Sequence, residues 1–393
     1  MKKLLAMFLA VVMIACCFAG CGAKGGDEGG EAEYKVAMIT DFSDITDQSF
    51  NQITYEACKA FCDKNGVEFK YFKPAGDTTA DRVGMVEKAA DEGFNVVVMP
   101  GFSFGGTIFE VSEDYADIKF IGVDVSAGDI LEAGVPAAGE EYDYTPENWN
   151  VTDYYYEENV YCAIYQEHLA GYMAGYAAVK MGYTQLGFLG GMAVPAVNRY
   201  GYGFVQGVEA AAKELGVNPT IKFAYGNTFA PDPDIKAAMD TWYDNGTEII
   251  FPCGGGIYSS VAEAAAAKGG KIIGVDVDQS GIIDSTYGAG LTVTSAMKGL
   301  YNTTYNTLED VVLNGNWSKY AGKIESLGLI SGDIEGNYVG IPADTTQWTD
   351  GFTVEDYKAM VADMFSGKIV VSGDISGIPA TTNTTVVDLG SVK

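Results

Sequence analysis

The feature that most constrains this chain is a strand–helix alternation that runs through it twice and ends each time on the same pattern. Ile121-Gly122-Val123-Asp124 closes the first run, and Ile273-Gly274-Val275-Asp276 closes the second. In the first run, Val36-Ala37-Met38-Ile39, Val67 to Phe72, Val96-Val97-Val98-Met99 and Ile118 to Asp124 read as strands. Between them lie the amphipathic stretches Ile53 to Cys62, Thr78 to Asp91 and Thr107 to Tyr115. The rhythm predicts a parallel sheet with right-handed crossovers. It restarts with a helix over Tyr161 to Lys180 and continues through a strand at Leu186 to Gly191 and a helix at Val197 to Leu215. Strands at Ile221 to Tyr225, Glu248 to Pro252 and Lys271 to Asp276 come next, separated by helices at Pro233 to Asn245 and Ser259 to Lys268. Two such arrays in tandem predict two α/β lobes. If their strand exits face each other, the exit loops line one cleft that closes by hinge motion.

At 393 residues the chain is long enough for two such lobes, and its 50 glycines suit many tight strand-to-helix turns. The balance of 24 basic against 53 acidic residues, a net of -29, opposes binding to nucleic acid or to an anionic membrane surface. With His168 as the single histidine, a His-based catalytic triad or a multi-His metal centre has almost no material to work with. Cys58 and Cys62, one helical turn apart, are poorly placed for a disulfide and incomplete as a metal site. With Cys162 and Cys253 they read as small buried thiols, and no metal or cofactor is expected.

The first residues read as a targeting segment. Lys2 and Lys3 precede an apolar core from Leu4 to Phe18, which is too short for a membrane span. Phe18-Ala19-Gly20-Cys21 resembles a bacterial lipobox, with Cys21 lipidated and Phe18 departing from the usual Leu. Cys16 and Cys17 are rival sites, and an ordinary cleaved signal peptide is the alternative reading. The expected organisation is a signal over 1–21, a flexible Gly-rich tether over 22–34, and lobe 1 over 35–126 plus about 280–325. An acidic, Tyr-rich insertion takes 127–159, and lobe 2 takes 160–279 plus about 326–393.

The candidate site centres on Asp41 to Gln52, D-F-S-D-I-T-D-Q-S-F-N-Q, at the exit of the first strand. It offers carboxylates, an aromatic ring and an amide at a helix entry. It also reads as a solvated turn with Asp47 or Ser49 as the N-cap. Asp124 and Asp276 stand at equivalent exits, where capping is again the plainer alternative. Cys253-Gly254-Gly255-Gly256 is a Gly-rich exit loop without the Lys-Ser or Lys-Thr of a P-loop.

With these residues in view, the chain from about Lys35 to about Leu313 resembles the basic membrane lipoprotein family of substrate-binding proteins, in particular its purine nucleoside receptors serving ABC importers. The resemblance is carried by Asp41 with Asp47-Gln48-Ser49-Phe50-Asn51-Gln52, and by Gly190-Gly191-Met192 to Pro195 with Arg199 and Gly203-Phe204. Gly274-Val275-Asp276-Val277-Asp278-Gln279 completes it. It implies a type I periplasmic-binding-protein fold, two Rossmann-like lobes around a ligand cleft with three hinge crossings. It further implies Phe50 and Phe229 sandwiching a base, Asp41 and Asn51 facing its polar edge, and Asp124, Asp276 and Lys298 facing the sugar. Gly254 and Gly255 would bring main chain close to the ribose.

The function so implied is extracytoplasmic capture of guanosine, inosine or adenosine for an ABC permease and its ATPase, with a lipid anchor as the only membrane contact. The alternatives are a binding protein for a sugar or other small polar metabolite, or a ligand-gated sensor. An enzyme such as a nucleoside hydrolase, or a carboxylate cluster holding Ca²⁺, fits less well. The tail beyond Asn314, including Gly340 to Trp348 and Thr381 to Thr385, reads as extra surface structure.

Overall fold

A computed structural model describes residues 34–392. The expectations for the signal segment, for lipidation at Cys21 and for the tether up to residue 33 lie outside the described residues. Among the described residues, thirteen strands form two sheets. The first holds β1 (Lys35–Ile39), β2 (Glu68–Phe72), β3 (Val96–Pro100), β4 (Lys119–Val123), β5 (Val160–Tyr165) and β11 (Lys323–Leu327). The second holds β6 (Gln185–Gly190), β7 (Thr220–Tyr225), β8 (Ile249–Cys253), β9 (Lys271–Asp276), β10 (Thr292–Lys298), β12 (Val339–Gly340) and β13 (Thr385–Ser391).

The first sheet runs β11-β5-β4-β3-β1-β2 with every pair parallel. The second runs β12-β10-β9-β8-β6-β7-β13 and is parallel except for the β10–β12 edge. Helices cover both faces, so central strands such as Val96–Pro100 and Ile249–Cys253 are apolar and buried along their whole length. In each sheet the strand order reverses at one place, between β1 and β3 and between β6 and β8. Ligand crevices of doubly wound sheets lie at such switch points, outside the carboxyl ends of the strands.

The chain passes between the sheets three times, after β5, after β10 and after β11. The crossings are tied to one another by main-chain bonds. Gln166 N donates to Leu327 O at 2.9 Å, Gly299 N to Tyr338 O at 2.7 Å, and Tyr338 N to Gly328 O at 3.0 Å.

The structure departs from the sequence expectation in three places. The stretch read as a helix over Tyr161 to Lys180 opens as β5, and the helix starts at Glu167. Val160–Tyr165 is a short aromatic and β-branched run buried on both faces, which periodicity alone does not separate from a buried helix turn. It belongs to the first sheet, so residues 160–165 leave the expected lobe 2. Residues 292–298, expected in lobe 1, form β10 of the second sheet, where Ala296 pairs with Val275. Residues 127–159 begin as a regular crossover helix, Ala127–Ala137, with a Ser126–Asp129 capping box. Irregular structure is confined to the stretch after that helix, where Tyr142, Trp149 and Tyr154 pack on its Leu131 and Val135.

The tail is structural rather than superficial. It supplies the edge strands β11, β12 and β13 and the third crossing. The Thr381 to Thr385 run is held by Glu209, which accepts from the backbone of Thr382, Asn383 and Thr384. Among the described residues no helix is long and apolar enough to cross a membrane.

Candidate ligand-binding site

All nine expected residues, Asp41, Phe50, Asn51, Asp124, Phe229, Gly254, Gly255, Asp276 and Lys298, line one cleft. It encloses about 840 Å³ of empty space, mouth included. The first sheet contributes its exit loops after β1, β3 and β4, and the second those after β6 to β10.

The loop after β1 is built by its carboxylates. Asp47 accepts backbone N–H groups of Ser49 (3.0 Å), Asn51 (2.9 Å) and Gln52 (3.0 Å), so it caps the helix Phe50–Asn65. Burial pushes its carboxyl up, against the pull of those bonds. Asp41 Oδ1 accepts from Phe42 N, Ser43 N and, at 3.2 Å, Asn51 Nδ2. The Asn51 amide is thereby oriented. Its Oδ1 is buried and has no hydrogen-bond partner among the described residues. An acceptor in that position costs about 1–3 kcal/mol until a donor reaches it.

With Asp47 doing the capping, Ser49 is free to reach the other lobe, where its Oγ donates to Asp276 Oδ2 at 2.8 Å. Gln279 Nε2 donates to Gln48 O at 3.3 Å beside it.

Lys298 is the hub of the cleft. Its ammonium lies 2.6 Å from Asp124 Oδ2, 3.4 Å from Asp276 Oδ1 and 3.6 Å from Glu167 Oε1, and 4.9 Å from the Phe50 ring centroid. Burial works against its charge, but the three carboxylates outweigh it and hold the pKa above the ordinary lysine value. Asp124 and Asp276 carry φ of 63° and 64°, the same left-handed turn at the end of equivalent strands. Asp tolerates this conformation better than most residues, and it aims both carboxylates at one cation.

Phe229 comes from the loop after β7. A Cβ added to Gly191 would lie 2.3 Å from its ring, and one added to Gly254 would lie 2.5 Å away. Gly254, at φ 127°, and Gly191 therefore form the seat of the Phe229 ring, a role that their sequence context does not disclose. Gly255 packs against the Phe229 carbonyl oxygen. The ring that meets Phe229 across the cleft is Phe102, with centroids 6.4 Å apart and planes at 59°.

Sequence reasoning did not assign to the site three residues that line the cleft, Phe102, Asp129 and Arg199, nor the bond of Ser49 to Asp276 beside it. Phe102 comes directly after Pro100-Gly101 at a strand exit, and that position was the available signal. Asp129 is hidden because its capping role accounts for it locally. Burial, with Asp124's charge adding to it, pushes its carboxyl up to about 7. Trp348 is not in the cleft. It packs on Phe352 and Tyr357. Among the described residues no cluster of His, Cys, Asp and Glu is arranged to hold a metal.

Two doubly wound sheets, three bonded crossings and a polar, aromatic-lined cleft at the switch points define a two-lobed solute-binding protein of the type I periplasmic kind. The fold is similar to a crystal structure of an ABC transporter system solute-binding protein from Aeropyrum pernix K1 (TM-score 0.61, 19% identity, covering 86% of this chain and 87% of that one). The sequence is 24% identical, over 94% of this chain and 99% of the relative, to the ABC transporter nucleoside-binding protein BmpA of Lactococcus lactis subsp. cremoris. It is also 24% identical to an uncharacterised lipoprotein of Pyrococcus abyssi, over 84% of this chain and 76% of that one. Residues 34–347 match the family model Bmp, ABC transporter substrate-binding protein PnrA-like. The chain belongs to this family: it is an ABC transporter substrate-binding protein, and its relatives bind substrates rather than transform them.

Proposed function

We propose that this protein captures a purine nucleoside outside the cytoplasm and presents it to an ABC importer, tethered by a lipid on Cys21. One observation carries the reading. The two lobes bring Phe50, Phe102 and Phe229 to the same cleft in which Asp124 and Asp276 flank Lys298. A purine has two π-faces and a polar edge, for which the rings, Asp41 and the open Asn51 Oδ1 are suited. Ribose has vicinal hydroxyls, good donors to a pair of carboxylates. The relative from Lactococcus lactis is named as nucleoside-binding, which agrees. Carboxylates outnumber cations in the cleft, so a neutral ligand is favoured over a nucleotide.

Calorimetric titration of the purified protein with guanosine, inosine, adenosine, cytidine and ribose tests this. Purine nucleosides bind at micromolar concentration or tighter, cytidine and ribose at least tenfold more weakly, and no free base is released. Silence with all three purine nucleosides discards the ligand and leaves the fold standing.

A further inference from the structure

Arg199 sits in the first turns of the helix Pro195–Leu215 and lines the cleft, with its side chain only 14% exposed. Its Nε donates at 2.5 Å to Oε2 of Glu167, which is fully buried. A guanidinium carries five N–H donors, and the terminal amino groups of this one have no protein partner among the described residues.

Asp129, on the helix Ala127–Ala137 of the first lobe, lines the same cleft. Its Oδ2 accepts from Ser126 N at 2.7 Å and Ser126 Oγ at 2.6 Å, and its Oδ1 has no protein donor among the described residues. The two charges act on each other, since Asp129 is among the carboxylates that favour the charged guanidinium. Yet no ion pair joins them, and each stays bonded to its own lobe. Both belong to the sugar-facing end of the cleft. Asp124 bears electrostatically on Asp129, and Glu167 links Arg199 to Lys298 through its second oxygen, 3.6 Å from Nζ.

A free donor and a free acceptor held apart on two lobes match a group that both accepts and donates. That group is a hydroxyl. With the vicinal pair of a ribose assigned to Asp124 and Asp276, the hydroxyl left over is the one on the exocyclic arm. We propose that Arg199 and Asp129 form a subsite for the 5′-hydroxymethyl arm of the nucleoside, Arg199 donating to the 5′-oxygen and Asp129 accepting from its hydrogen. This rests on the nucleoside reading. It makes the 5′-hydroxyl a bridge that closes the lobes and a determinant of specificity. A 5′-phosphate placed there gains Arg199 but meets Asp129, Asp124 and Glu167, with Lys298 already engaged.

The test is the ratio of dissociation constants for 5′-deoxyinosine and inosine, measured with the full chain and with Arg199→Lys and Asp129→Asn. Lysine keeps a cation beside Glu167, and asparagine keeps the acceptor that Ser126 needs. Melting temperatures confirm that both variants fold. The wild-type ratio is expected to be roughly thirtyfold, the cost of leaving a built donor–acceptor pair unused. In each variant it falls below about threefold, mainly because inosine binds more weakly. Equal affinity of the wild type for both ligands overturns the subsite while leaving the nucleoside reading intact, as does a wild-type ratio preserved in both folded variants. Failure of the wild type to bind inosine, guanosine or adenosine overturns both.

Discussion

Ser49 Oγ donates to Asp276 Oδ2 at 2.8 Å, joining residues 227 positions apart and closing one lobe on the other. The bond exists because Asp47 caps the helix that Ser49 precedes, leaving the serine hydroxyl free. Asp276 splits its carboxylate, with one oxygen on Ser49 and the other on Lys298. Closure and the charge network therefore share one side chain.

Ser49→Ala removes the latch and nothing else that folds the loop. A charge-assisted bond of this kind contributes roughly 1–2 kcal/mol, so ligand affinity should fall about 5–30-fold, with little change in denaturant midpoint. Small-angle scattering of the unliganded protein should show a larger mean radius of gyration. An unchanged radius together with unchanged affinity would mean that the latch plays no part in closure.

Lys298 faces Asp124, Asp276 and Glu167 from within the protein. Lys298→Met leaves three carboxylates in a poorly hydrated space without their shared cation. Removing one partner of a buried network typically costs roughly 3–5 kcal/mol, and urea unfolding should register a loss of that order. Adding Asp124→Asn to Lys298→Met should recover part of it. A loss below about 1 kcal/mol would show that water reaches the network and screens it.

Phe229 and Gly254 form a pair suited to a double-mutant cycle. Phe229→Ala removes a ring from the cleft and should weaken purine nucleoside binding by roughly 10–100-fold. In Gly254→Ala the new methyl is built 2.5 Å from Phe229 Cε1 and must displace the ring, so a similar loss is expected. In the Phe229→Ala background the same glycine change should add little. Additive losses would instead mean that Gly254 acts on the ligand through its own main chain.

These pairs mark what the sequence could and could not disclose. The cleft loops were legible because parallel sheets present ligands to strand exits, and the exits come after recognisable apolar runs. Asp124 and Asp276 were legible because their four-residue patterns echo each other, and the two share one backbone conformation. The partner of Ser49 was not, since nothing local links it to a residue in the other half of the chain. The edge strand β13 was missed for the same reason: its pairing to β7 joins Thr385 with Thr220. β5 was read as helix because a short buried apolar run carries no periodicity to separate the two states. The seat of Phe229 needed the approach of Gly191 and Gly254 in space.

Two partly buried groups titrate in overlapping windows with opposite sign. Burial, with the charge of Arg199 adding to it, pushes the His168 imidazole down from 6.5 to about 4. Between those values the unfolded chain binds more protons than the folded one, so this contribution to stability is full above pH 6.5 and is lost as pH falls toward 4. Burial and the charge of Asp124 push Asp129 up from 3.8 to about 7. There the folded chain binds more protons, so that contribution is full below pH 3.8 and is lost as pH rises through about 7. Each amounts to roughly 3–4 kcal/mol at most, and between pH 4 and 6.5 they largely cancel. Removing either exposes the other. Relative to wild type, the free energy of unfolding of His168→Gln should slope downward with rising pH across this window, and that of Asp129→Asn should slope upward. Urea midpoints at half-unit pH steps give both slopes. Equal slopes in the two variants would show that neither group is held away from its unfolded pKa.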